Sequence, residues 1–386
     1  MSEAGEVETK ASSEDEKVVR REVERVRGFV KDLSMEDLRQ GNWFAKLLTF
    51  SLNKYVEEVD AEYFRRKYPD LPADAVVRER IQMAARYAGV EGGLSAAAYT
   101  GAVAATIGSG GGASPLTLPA GGASFAVDLV YTSQLQLRLA HDIAVLYRVP
   151  LDMDDPDDLW KLIRIAFAIK SGEAGGGAVL KGVPVVVRPV VKKFFSGSTL
   201  AAARSLPVVG RHLLQRNVIK FAIPVVGVPL SVGVNYWTTR TAGNHALEIF
   251  RNEARLVESA SRIVESAEHH GELPWIMWAA ATSDGPATSN QHGLLNYVSK
   301  ELRARGTADA ELEELRDVIE IDRDRVWRML EDATGDLEPL HSAAVTTVSV
   351  RGKASKKSLM HLERVAAECG VDHDSQAVRA QARSWS

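Results

Sequence analysis

Apolar residues recur at helical spacing along most of the chain, and no run of convincing length alternates with a period of two. Val18 to Asp32 predicts a first helix. Asn42 to Glu58 predicts another, with Trp43, Phe44, Leu47, Leu48, Phe50 and Leu52 as its apolar side. A short helix from Tyr63 stops before Pro69, and Asp74 caps one running to Val90. The Val-rich runs at 183–187 and 225–232 are cut by Pro or Gly, so they do not read as strands. The expected fold class is mainly α. Residues 1–17 are rich in Glu, Ser and Lys and read as a disordered tail.

Two stretches lack charge altogether. Gly92 to Val127 holds nine glycines and two prolines, and Gly108 to Gly112 splits it into apolar pieces of 16 and 13 residues. Each piece falls short of the ~20 residues that cross a bilayer as one helix. The stretch therefore predicts a helical hairpin, either packed inside the protein or dipping into one leaflet, with its glycines close against another helix. Phe221 to Thr239 is broken by Pro224, Gly227, Pro229 and Gly233. Arg211, Arg216 and Lys220 precede it, Arg240 follows, and Tyr236 and Trp237 sit where aromatic anchors of an interfacial segment would. A buried helix with ordinary charged ends is the alternative. Between the two stretches, a helix is expected from Asp128 to Tyr147. An acidic Asp-Pro run then opens a helix at 157–169, where early acids complement the dipole.

Charge sharpens the picture. Trp160 to His245 carries twelve basic residues, Lys192 and Lys193 among them, against the single acid Glu173. That segment is +11 within a chain of net charge −4, leaving −15 elsewhere. Basic residues among Val, Phe and Ile suit an anionic lipid surface, or pairing with the chain's own acidic part. Glu311 to Asp324 is the densest acidic piece, and it is expected either to fold back onto the basic segment or to be neutralised locally by Arg316, Arg323, Arg325 and Arg328. The single cysteine, Cys369, excludes an internal disulfide framework and fits a reducing compartment. The first twenty-one residues are charged and lack an apolar core, so no secretory leader is expected.

Catalytic signatures are missing. There is no P-loop, no H-E-x-x-H and no G-x-S-x-G, and Gly110 to Gly112 follows no strand. No catalytic residue and no cofactor are expected. The basic segment carries no helix-turn-helix and no stacking aromatics, so nucleic acid is not an expected partner.

Residues 84–252 contain an ordered set of features. These are Gly92-Gly93, the turn at Leu116 to Pro119, Asp128 with Gln134 to Arg138, and His141 to Ala144 with Tyr147. The acidic Asp-Pro turn, Ile223 to Gly227, Asn235 to Arg240, and Ala246 to Phe250 complete it. This set resembles the EcsC-like family of bacterial proteins. The resemblance implies a helical domain (18–252) linked to membranes and brings no established reaction. Within it, Asp128, His141, Asp142 and Asn235 are polar candidates in an apolar core. Farther on, an offset of 67 residues aligns Gly285 with Gly352, Ala287 with Ala354, Leu295 with Leu362 and Val298 with Val365. This pair of helical units (domain 253–386) resembles the TerB-like helical domain, in which acidic residues at Asp-Gly turns can gather a cation. Asp284 keeps that pattern, but Arg351 replaces its counterpart, so Asp284 is only a weak metal candidate and no metal is expected.

The expectation is a non-enzymatic adaptor on the cytoplasmic face of the membrane. Its contacts with anionic lipid would be Lys192, Lys193, Arg211, Arg216, Lys220, Arg240, Tyr236 and Trp237, and an unidentified protein partner would bind the C-terminal domain. The alternative is a hydrolase or lipid-handling enzyme whose pocket between the Gly-rich helices gathers the four polar candidates.

Overall fold

The computed structural model describes residues 13–40, 42–108, 114–153, 155–167, 227–317 and 322–386. The fold is mainly helical, with no strand among those residues. The chain divides after Phe250 into two compact units.

In the N-terminal unit, α1 (Ser13–Lys31) buries Val19, Val23 and Val26, one stripe at i, i+4 and i+7. Its first turn holds Glu14, Asp15 and Glu16. Residues 13–17 are thus helical and not part of a disordered tail: acids that lower hydrophobicity also favour a helix N-terminus. Residues 1–12 lie outside the described residues. α2 (Met35–Gln40) is preceded by Ser34, whose hydroxyl accepts from the Asp37 amide at 3.0 Å while Asp37 accepts from the Ser34 amide at 2.9 Å. This is the reciprocal arrangement of a capping box. α3 (Trp43–Glu58) buries Trp43, Phe44, Leu47, Leu48 and Leu52, and Asp60 caps α4 (Ala61–Lys67).

The centre of the unit is a pair of long helices, α5 (Ala73–Gly108) and α6 (Ser114–Leu146), of 36 and 33 residues. The expected pieces 92–107 and 115–127 are therefore not separate: each is continuous with its charged neighbour. Glycine lowers helix propensity by only ~1 kcal/mol, which tertiary packing overrides. Of the loop expected at Gly108 to Ser114, Gly108 and Ser114 are instead the last residue of α5 and the first of α6, and 109–113 lie outside the described residues. α7 (Pro156–Ala166) begins with proline at its first position, where a missing N–H costs nothing. From the first turn of α7, the Asp158 carboxylate reaches back to accept from the Asp152 amide at 3.2 Å.

α8 (Gly227–Ser266) contributes its first part to this unit and the remainder to the next. Pro229 does not break it, because it stands in the first turn, where no intrahelical donor is required. A Cβ on Gly93 would stand 3.2 Å from Val232, and one on Gly89 would stand 3.6 Å from Val232 and Tyr236. Among the described glycines the tightest approach is at Gly243, where a Cβ would be 2.9 Å from Ile81 and 3.0 Å from Leu139.

The C-terminal unit continues with α9 (Leu273–Ala281), α10 (Ser289–Arg305), α11 (Asp309–Asp317) and α12 (Arg323–Asp332). It closes with α13 (Glu338–Ser349), α14 (Lys356–Cys369) and α15 (Ser375–Arg383). The 67-residue offset is a structural repeat. Gly285 and Gly352 both adopt positive φ, +133° and +83°. Thr288 caps α10 by accepting from Gln291, and Ser355 caps α14 by accepting from Ser358. Leu295, Leu362, Val298 and Val365 all enter the core. The correspondence extends beyond the two helices seen in the sequence, since α11 and α15 follow at matching places, leaving α12 as the connector. The two halves are joined by hydrogen bonds from Asn290 to the Val350 carbonyl at 3.0 Å and from Gln291 to the Thr347 carbonyl at 3.1 Å. Among the described residues, no helix is long and apolar enough to cross a membrane.

Candidate functional site

α6 carries a row of polar side chains into the core of the N-terminal unit: Asp128, Thr132, Ser133, Gln134, His141 and Asp142 are all buried. They do not form one site. Asp128 is met by Asn235 of α8, whose amide donates to its carboxylate at 2.5 Å in fully buried surroundings. Asp142 lies fourteen residues farther along the same helix, about 20 Å away at 1.5 Å rise per residue.

Around Asp142 the groups are tightly partnered. Arg80 of α5 donates from Nε at 2.9 Å and from Nη2 at 2.5 Å, and the Tyr55 hydroxyl of α3 donates at 2.7 Å. The Asp142 side chain is completely buried and that of Arg80 is nearly so. Burial opposes the guanidinium charge of Arg80, but the Asp142 carboxylate more than offsets it, so its pKa rises above an already high value. Burial, reinforced by the Asp142 charge, pushes the Tyr55 phenol well above its ordinary range. His141 packs edge-on against Tyr55, with ring centroids 5.9 Å apart. Burial lowers its pKa, and its Nδ1 has no hydrogen-bond partner. Arg138 lies over the Tyr55 ring at 4.7 Å and donates to the Ser51 carbonyl at 3.1 Å. Its Nη1 is 3.6 Å from Glu22 of α1.

These contacts make a clamp that ties α1, α3, α5 and α6 together. A carboxylate whose lone pairs already accept three donors is poorly placed to take a proton from a substrate. His141 and Asp142, adjacent in the sequence, do not hydrogen-bond as a base and its orienting acid: Asp142 is turned to Arg80, and His141 to Tyr55. Sequence reasoning found Asp142 and Asn235 but missed Arg80, Tyr55, Arg138 and Glu22. Each stands in an ordinary amphipathic helix, where a polar residue reads as surface.

On α8, Tyr236 is half-buried, whereas Trp237 is 65% exposed and Arg240, one turn on, is exposed too. The other proposed lipid contacts, Lys192, Lys193, Arg211, Arg216 and Lys220, lie outside the described residues. In the C-terminal unit, Asp284 is paired with Arg351 at 2.6 Å, so a cation already occupies the position a metal would need. The two are repeat counterparts, each preceding its positive-φ glycine. Among the described residues, no group of three or more His, Cys, Asp or Glu side chains is placed to hold a metal ion. The same unit has an open groove of about 690 Å³ between α8, α13 and α15, where Arg255 stacks on Trp385 at 4.0 Å.

Comparison of the chain with family models, curated proteins and solved structures finds no match.

Proposed function

We propose that the protein is a non-enzymatic, peripheral membrane adaptor that binds anionic lipid through the N-terminal unit. The observation that carries this reading is Trp237: a large aromatic side chain, 65% exposed, with an exposed cation on the same helix face at Arg240. An indole next to a cation suits the headgroup region, where the ring meets acyl chains and the charge meets phosphate. The +11 character of residues 160–245 supports it, because each cation near an anionic surface contributes ~1 kcal/mol. The EcsC-like resemblance of residues 84–252 points the same way, and the TerB-like resemblance of the C-terminal repeat is consistent with a partner-binding role. The groove beside Arg255 and Trp385 is where partner contact would be sought. The enzyme alternative loses the observation that would favour it, since its four polar residues fall into two groups.

Vesicle flotation tests the proposal. The full chain should float with vesicles containing anionic lipid at low salt and be released as salt rises. Trp237→Ser together with Arg240→Glu should weaken that binding severalfold while leaving the melting curve unchanged. Absence of binding at low salt, or equal binding to neutral vesicles, overturns the reading.

A further inference from the structure

The C-terminal unit brings two histidines from distant parts of the sequence face to face. His341 lies in the first turns of α13, and His373 lies in the turn between α14 and α15. His341 Nε2 and His373 Nδ1 are 3.4 Å apart, and the rings are nearly perpendicular at 81°. As a hydrogen bond that separation is long. It matches a different geometry: two imidazole nitrogens each 2.0–2.1 Å from one tetrahedral zinc stand about 3.3 Å apart. The outer nitrogen of His373 is held at 3.1 Å by the Ser375 hydroxyl. With Nε2–H donating to that oxygen, the lone pair lies on Nδ1, facing His341. A ring whose far nitrogen is fixed by a hydrogen bond is the usual support of a metal-bound histidine.

We propose that His341 and His373 form a two-histidine site for a borderline divalent cation of the zinc class, with solvent completing its coordination. Both histidines are half-buried. Imidazole donors suit zinc, copper and nickel rather than magnesium or calcium. The exposed carboxylates Asp372 and Asp374 flank His373 and add negative charge around the approach. The bound ion would join α13 to the α14–α15 turn, two elements of the second half-repeat that are distant in sequence.

The test uses the full chain and Zn²⁺ alone. One equivalent of Zn²⁺ should bind saturably and raise the melting temperature, and a chelator should reverse the shift. His341→Ala and His373→Ala should each abolish that equivalent, and Ser375→Ala should weaken it by about tenfold. Carbethoxylation of the unmodified chain gives an independent measure if a variant fails to fold. Zn²⁺ should protect His341 and His373 and leave the other seven histidines as reactive as before. Binding that survives loss of either histidine, protection elsewhere only, or no saturable binding overturns the proposal.

Discussion

Among the described residues, the N-terminal unit buries the carboxylates Glu91, Asp128, Asp142 and Asp158. The C-terminal unit buries none; its buried polar side chains are Ser259, Ser283, Gln291, Thr347, Ser349, Ser358 and His361. Its core is apolar, built around Trp275, Ile276, Leu294, Leu302, Leu340 and Leu362. It also carries exposed ion pairs, as at Arg325 with Glu314 or Arg303 with Glu313, and one part-buried pair, Asp284 with Arg351. A core joined by buried charges is specific in its partners and vulnerable at single atoms, because removing one partner strands the other in a low dielectric. An apolar core spreads its stabilisation over many small contacts.

The sharpest way to break this contrast is Asp142→Ala. It leaves Arg80 buried without its carboxylate and should cost about 3–5 kcal/mol in denaturant melts of the N-terminal unit. The double change Asp142→Leu with Arg80→Met should recover much of the loss. A cost below ~1 kcal/mol for Asp142→Ala would mean that water reaches Arg80, and the contrast would collapse.

Acid sharpens the comparison from the other side. Burial, with Arg323 and Arg364 adding to it, lowers the His361 pKa to about 4 from an unfolded value of 6.5. Between those values the unfolded chain binds the proton and the folded one does not. The C-terminal unit should therefore lose stability as pH falls through 6.5 and stop losing it below about 4, a total of ~3 kcal/mol. His361→Leu should flatten that limb; an unchanged slope would show that His361 is not its source. A shallower acid dependence of that unit should remain, since burial lowers His341 in the same direction.

Gly243→Ala should cost about 1–3 kcal/mol by overpacking against Ile81 and Leu139. Gly233→Ala, with nothing within 4 Å of the added methyl, is the control, and equal effects would mean that Gly243 is not a contact point. The smallest effect is expected at Glu314→Gln. Arg325 holds Glu314 by two short bonds and lowers its pKa, but the pair is exposed. Exposed pairs add little, so the melt should scarcely move. The same pair bears on the local neutralisation expected of the acidic piece at 311–324, in which Arg325 was one of the expected partners. Glu314 is paired with Arg325 of the next helix, and Glu313 stands 3.6 Å from Arg303 of the previous one.

Local chemistry made much of this protein legible in advance. Helical periodicity, the Asp-Pro start of α7, the stop at Gly108 and the Thr288 and Ser355 caps depend on residues within one or two turns of each other. The 67-residue repeat was visible because its glycines need positive φ and its Leu and Val pairs need the core. Tertiary structure alone decided the rest. It set Gly89 and Gly93 of α5 against Val232 of α8, and among the described glycines it chose Gly243 as the point of closest approach. It gave Asp142 to Arg80 and Tyr55, which are 62 and 87 residues away, and so separated Asp142 from Asp128 as a chemical site. The pairing of His341 with His373, 32 residues apart, was hidden for the same reason. A side chain's identity sets what it can bond, but only the folded arrangement of helices sets what it meets.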